Sequence, residues 1–182
     1  VKLCLDSDLS SEITLQPMKR FDLDAAIIFS DILLVPFGLG QEIKFTKDYG
    51  PQLSSFNFKK FTENKKDNFT KKLTPVYDAI RKTRKKLSKE KSLISFVGAP
   101  WTLLVYMLGL RQDKKNIDLT NLNKSSFNQK IILENLNEFL CLHIENQLEA
   151  GADLVQIFDS WAGLIPHRDL EVFCYGPNRK LV

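Results

Sequence analysis

Asp31 stands directly behind a short apolar run, Ala25-Ala26-Ile27-Ile28-Phe29, within the stretch LQPMKRFDLDAAIIFSDILLVP at residues 15–36. That run has no polar alternation, which predicts a strand covered on both faces. A carboxylate placed immediately after such a strand is costly unless something binds it. Two chemistries fit: an Asp that caps the next helix or turn, or a catalytic or ligand-binding carboxylate at the carboxyl end of a parallel strand. Two further polar knots follow apolar runs in the same way. SLISFV at residues 92–97 leads into Gly98-Ala99-Pro100-Trp101-Thr102, and DLVQIF at residues 153–158 leads into Asp159-Ser160-Trp161-Ala162-Gly163.

The elements that must position these knots alternate. A helix is expected over residues 7–20, capped by Ser10 or Ser11 and broken or kinked near Gln16 by Pro17. The first strand follows, and the chain is expected to break again at Pro36. Glu42 to Thr46 alternates polar and apolar residues, the mark of a half-exposed extended piece. Residues 54–72 are Lys- and Asn-rich and read as a surface loop with a short helix, pinned by Phe56, Phe58, Phe61 and Phe69. A helix with Val76, Ile80 and Leu87 on one stripe is expected to start at Thr74-Pro75. Leu103–Leu110 restarts a helical pattern, residues 111–128 read as a polar loop, and Ile131–Leu148 carries the clearest helical spacing in the chain. Helix alternating with strand predicts parallel strands near 25–30, 92–97 and 153–158, joined by right-handed crossovers. Asp31, Gly98–Thr102 and Asp159–Ser160 then emerge at one edge of the sheet. Three polar knots gathered on one edge make a site, which weighs toward function for Asp31.

Composition bounds the alternatives. The 182 residues, 43% of them hydrophobic, suffice for one core and need not form several domains. Cys4, Cys141 and Cys174 are widely spaced and odd in number, so neither a disulfide framework nor a zinc motif is indicated and a reducing cytoplasm is the simplest setting. No apolar run approaches the length of a membrane span, and no membrane partner is expected. The net charge of +4 is unevenly spread, with seven basic residues and one acid in RKTRKKLSKEK at residues 81–91. Without interleaved aromatic residues this run reads as one side of a solvated helix, and no nucleic-acid partner is expected. His143 and His167 lie outside the three knots and read as structural or exposed.

LQPMKRFDLDAAIIFSDIL, FVGAPWTLLVYM and GADLVQIFDSWAG resemble, in order and at comparable separations, three signature blocks of the uroporphyrinogen decarboxylase family. PVYDAIRKTRKKL and GPQL are also similar to that family, and the resemblance covers essentially all 182 residues. It implies an α/β fold, the (β/α)8 TIM barrel, with residues 1–182 forming a single partial barrel domain. It implies a carboxy-lyase that removes carbon dioxide stepwise from the four acetate side chains of uroporphyrinogen, giving coproporphyrinogen, without a metal or organic cofactor. By the same resemblance Asp31 binds the pyrrole N–H groups and stabilises a cationic intermediate, Tyr106 lines the site near the reacting acetate, and Ser160 hydrogen-bonds a substrate carboxylate. Phe29, Phe96 and Phe158 furnish apolar walls. The full-length family is expected to be a homodimer.

Full-length relatives carry an amino-terminal block with substrate-gripping arginines and a histidine near the carboxyl end. Neither is found here, so the chain is expected to be an internal portion, about half of the enzyme, and inactive on its own. Leu108-Gly109-Leu110-Arg111 also departs from the family, which commonly has an acidic, glycine-rich stretch there. Two rivals remain: a cobalamin- or coenzyme M-type methyltransferase of the same barrel, which uses zinc held by His and Cys, and a non-enzymatic polyanion-binding module that uses the basic helix.

Overall fold

The computed structural model describes residues 2–46, 50–111, 116–117 and 129–182, so most of the expected 111–128 loop lies outside the described residues. Three short strands form a parallel sheet: β1 (Ala25–Ile27), β4 (Ser92–Gly98) and β5 (Leu154–Phe158), in the order β1-β4-β5. The register pairs Ile27 with Ile94 and Ile94 with Leu154, and runs on to Gly98 beside Phe158. An antiparallel hairpin of β2 (Ile43–Thr46) and β3 (Gly50–Leu53) is inserted between β1 and β4. The helices are α1 (Ser7–Arg20), α2 (Leu34–Gly38), α3 (Phe58–Thr62), α4 (Lys66–Lys86), α5 (Pro100–Met107) and α6 (Gln129–Glu149). Short 3-10 and π turns and a last helix, Gly176–Arg179, follow β5.

Several sequence expectations shift by a turn or more. Asp6, not Ser10 or Ser11, caps α1, its carboxylate accepting from the amides of Asp8 and Leu9. The helix runs unbroken through Pro17 in its last turn, forgoing only the one bond that an amide there would give the Ile13 carbonyl. Pro36 likewise lies inside α2 instead of breaking the chain, because a first-turn proline forfeits only an amide that has no helical partner. α4 begins at Lys66, well before Thr74-Pro75, and absorbs part of the expected loop. Phe61 and Phe69 do pin that segment, both being buried.

Burial on both faces of the sheet is also not what the described residues provide. Ala26, Ile28, Leu93, Ser95 and Val97 are buried beneath the helices. The opposite face is open: Ile27 is 59% exposed, and Leu154 and Phe158 are exposed beside it. Described helices cover one face only, so alternate residues of an unbroken apolar run meet different surroundings.

Two sets of polar contacts fix the carboxyl ends of the strands. At β1, an edge strand, α1 supplies what a neighbouring strand would. Ser10 Oγ donates to the Phe29 carbonyl at 2.6 Å, and the Phe29 amide donates to Thr14 Oγ1 at 2.8 Å. Both side chains are buried, at a spacing of one helical turn. Between β4 and β5, the fully buried Thr102 donates from Oγ1 to Asp159 Oδ1 at 2.8 Å and accepts from the Trp161 amide at 3.2 Å. Trp101 Nε1 donates to the Trp161 carbonyl at 3.0 Å, and the Ala99 amide donates to the Phe158 carbonyl at 2.8 Å.

Behind the sheet, the Tyr77 hydroxyl of α4 and Nδ1 of His143 on α6 lie 2.9 Å apart, with Phe69 and Tyr77 rings against the imidazole. Burial pushes the phenol up, so it stays the donor, and pushes the imidazole down to about 3. His143 is therefore the structural histidine the sequence suggested.

Because the folded imidazole resists protonation while the unfolded one titrates near 6.5, its contribution to stability is complete above pH 6.5. It is lost as the pH falls from there toward 3, at about 1.4 kcal/mol per pH unit. Urea midpoints measured across this range should fall on acidification, and His143→Gln should flatten that slope. Thr102→Val keeps the side-chain volume but orphans the Trp161 amide and one Asp159 oxygen. It should cost about 1–3 kcal/mol in urea denaturation and shift the tryptophan emission.

Candidate active site

Asp31, Gly98–Thr102 and Asp159–Ser160 follow three parallel strands, so they share the carboxyl edge of the sheet, as the alternation of elements predicts. Asp31 takes the capping role weighed from sequence. Its Oδ1 accepts from the Leu33 amide at 2.9 Å, and its carbonyl accepts from the Leu34 amide at 3.1 Å, which turns the chain into α2. Oδ2 makes no hydrogen bond among the described residues. The carboxylate is half-buried and keeps acceptor capacity for a ligand.

The turn after Asp31 is seated against the second knot. A Cβ on Gly98 would lie 3.2 Å from Ile32 Cβ and 2.8 Å from Leu103 Cδ2, so only glycine lets α5 and the Asp31 turn approach the end of β4 this closely. Phe29 is half-buried, with its backbone fixed by Ser10 and Thr14. Phe96 and Phe158 meet at 5.5 Å between ring centroids, with their planes 65° apart. With Ile27, Ile94 and Leu154 they make an apolar floor leading up to the polar edge.

Ser160 is exposed, and it makes no hydrogen bond among the described residues. Tyr106, on the last turn of α5, packs edge-on against Trp161 at 6.2 Å. It lines a cavity of about 200 Å³ together with Pro51, Gln52, Leu53, Val105, Gly109 and Arg111. Neither Asp31 nor Ser160 is on that cavity's wall, so the described residues place Tyr106 beside Trp161, the neighbour of Ser160, and do not gather the three side chains around one cavity.

Sequence reasoning assigned the third knot's chemistry to Ser160 and missed Asp159. The Asp159 carboxylate accepts from Thr102 on Oδ1 and from Cys174 Sγ and Asn178 Nδ2, each at 3.4 Å, on Oδ2. Burial first, and then this carboxylate, push the Cys174 thiol up, leaving it a neutral donor. Thr14 was also missed, and Ser10 was read as a cap.

The basic run on α4 is largely committed within the chain. Arg84 binds Asp153 and three carbonyls, Lys82 pairs with Asp8, Arg81 with Asp78 and Lys91 with Asp22. The described residues contain no group of three or more His, Cys, Asp or Glu arranged to hold a metal ion, and no helix among them is long and apolar enough to cross a membrane.

The family model described as uroporphyrinogen decarboxylase (URO-D) matches residues 1–182. The chain is 40% identical over 186 residues to a uroporphyrinogen decarboxylase of Rickettsia bellii, covering all of this chain and 54% of that protein. It is 43% identical to the one of Orientia tsutsugamushi strain Ikeda, again over the whole chain and 53% of the relative. The chain thus spans about half the length of the curated relatives it matches. Among solved structures, a methyltransferase from Methanosarcina mazei superposes with a TM-score of 0.71 over 97% of this chain and 53% of its own, at 16% identity. At that identity the likeness speaks for the fold alone, and it agrees with part of a (β/α)8 barrel. Matched from its first residue to its last, the chain belongs to the uroporphyrinogen decarboxylase family.

Proposed function

We propose that this chain supplies the Asp31 half of a uroporphyrinogen decarboxylase site, acting on the acetate side chains of a porphyrinogen without a metal or organic cofactor. The observation that carries the reading is Asp31: one oxygen turns the chain, and the other is left over at the carboxyl edge of parallel strands. An apolar floor with a spare carboxylate at its rim suits a macrocycle with an apolar body and a converging set of N–H donors.

In the proposed reaction a pyrrole ring takes up a proton and becomes cationic. The acetate C–C bond then breaks, carbon dioxide leaves, and the bonding pair is absorbed by the ring. Protonation of the resulting methylene gives a methyl group and the ring returns its first proton, so each acetate consumes one proton and releases one carbon dioxide. Asp31 holds the N–H groups and offsets the cationic charge in a site sheltered from water. Tyr106 borders the reacting acetate, Ser160 hydrogen-bonds a substrate carboxylate, and Phe29, Phe96 and Phe158 flank the rings. A homodimer in the cytoplasm belongs to the same proposal, as does the arrangement of residues 1–182 as one partial barrel domain.

The test is a chimera in which this chain replaces the matching half of the Rickettsia bellii relative. Carbon dioxide release from uroporphyrinogen should fall at least about a hundredfold with Asp31→Asn, with the folded fraction unchanged by circular dichroism. The 182-residue chain alone should show no turnover. An Asp31→Asn chimera that is folded and fully active would remove the basis of this reading. If the chimera does not fold, Asp31→Asn in the chain alone should still weaken its binding of a porphyrin octacarboxylate.

A further inference from the structure

The apolar floor of the site carries a polar side chain that the reading above does not use. Exposure alternates along β5, so Leu154, Gln156 and Phe158 share the face turned away from the helices, while Val155 and Ile157 pack toward the core. Residues paired in a parallel ladder point to the same side of the sheet, and the register sets Gln156 beside Phe96. The neighbours of Gln156 on this face, along β5 and across to β4, are thus apolar. A primary amide in such surroundings is a cost unless something polar meets it.

The amide is held in one orientation. Gln156 Nε2 donates to the Ile157 carbonyl at 2.9 Å. A carbonyl only accepts, so the nitrogen and not the oxygen must face it. That bond uses one N–H of the amide and leaves the second, and the side chain makes no other hydrogen bond among the described residues. In the order β1-β4-β5, Gln156 is two strands away from β1, the strand that leads to Asp31. Neighbouring strands lie about 4.8 Å apart, so the separation across the sheet is about 10 Å. A macrocycle centred at the end of β1 extends its rim over β4 toward β5. What reaches Gln156 is then a peripheral side chain of the ring system, not its central N–H groups.

We propose that Gln156 is a specificity-determining residue whose remaining N–H donates to a carboxylate at the periphery of the ligand. The ligand class is a polycarboxylate with a broad apolar body, and the proposal rests on the functional reading above. A neutral donor suits this position. It leaves the floor uncharged, so apolar rings can cover it, yet a ring system without the carboxylate buries the N–H with no partner.

The probe is uroporphyrin I, an octacarboxylate, titrated into the 182-residue chain while emission from Trp101 and Trp161 is followed. Gln156→Leu keeps the bulk and removes the donor, and it should raise Kd about tenfold. Gln156→Glu keeps the shape but sets a carboxylate against the ligand's own. It should raise Kd further, by an amount that shrinks in high salt. Both variants replace an exposed side chain, and their circular dichroism should match the parent. If Gln156→Glu bound as tightly as the parent, the amide would be accepting through its oxygen and the proposal would be overturned. Equal Kd for the parent and Gln156→Leu would also overturn it, as would absence of binding by the unaltered chain. Asp31→Asn separates the two readings. A loss there with none in Gln156→Leu strikes this proposal alone, whereas a loss in Gln156→Leu with none in Asp31→Asn supports the contact and counts against the role of Asp31.

Discussion

The hydrogen bond from the buried Thr102 hydroxyl to Asp159 is the contact on which the site's geometry hangs. Parallel strands fix their own spacing, but nothing in a ladder fixes the segments that leave it. Here the segment after β4 becomes α5 and the segment after β5 becomes the Trp161 turn, and Thr102 joins them, with Trp101 Nε1 on the Trp161 carbonyl as a second tie. Thr102 also accepts the Trp161 amide, so strand end, helix start and turn move as one body. Tyr106 and Trp161 can hold a constant ring contact only because their two backbones are locked at this point. A buried hydroxyl with both a donor and an acceptor role filled is well suited to that task, since any slippage leaves a buried polar group unpaired.

Several aspartates flank the strands, and three of them, Asp31, Asp153 and Asp159, differ in their partners. Asp153, ahead of β5, gives Oδ2 to the Leu93 amide at 2.7 Å and to Arg84 at 3.0 Å. Asp159 has partners on both oxygens. Asp31 has a single amide on one oxygen. All three satisfy the pattern of a carboxylate beside an apolar run, yet only Asp31 keeps a free acceptor at the carboxyl edge. Placement alone would have nominated Asp31 and Asp159 equally; acceptor bookkeeping selects between them.

This is also where the sequence stops being legible. The three strands, their parallel order and the shared edge could be read directly, because short apolar runs separated by long helical spacings leave few other topologies. Helix ends were read poorly. Pro17, Pro36 and Pro75 were taken as boundaries, but Pro36 stands in the first turn of α2, where it costs little, and the buried faces of α1 and α4 carry those helices through Pro17 and Pro75. Ser10 and Ser11 looked like caps because serine favours caps, whereas Asp6 lies nearer the true start and the serines are buried where β1 lacks a neighbour. Asp31 was read from its placement behind a strand as well as from resemblance, Tyr106 and Ser160 were assigned their roles by resemblance, and no propensity could have placed Arg111 against Trp161. That contact depends on a reversal at Gly109 and on packing between elements far apart in the chain.

The open face of the sheet connects these observations. Alternation along β1, β4 and β5 sends one set of side chains into the helical core and the other toward Ile27, Phe96, Leu154 and Phe158. Apolar surface of that extent is costly in water, and its cover must be apolar across the middle and polar at one rim. At the rim stand a carboxylate with a spare oxygen, an exposed hydroxyl and a guanidinium seated on an indole. Opposite charges at separate points of one edge do not neutralise each other. On the functional reading proposed above, they would orient a ligand that carries N–H donors at its centre and carboxylates at its periphery.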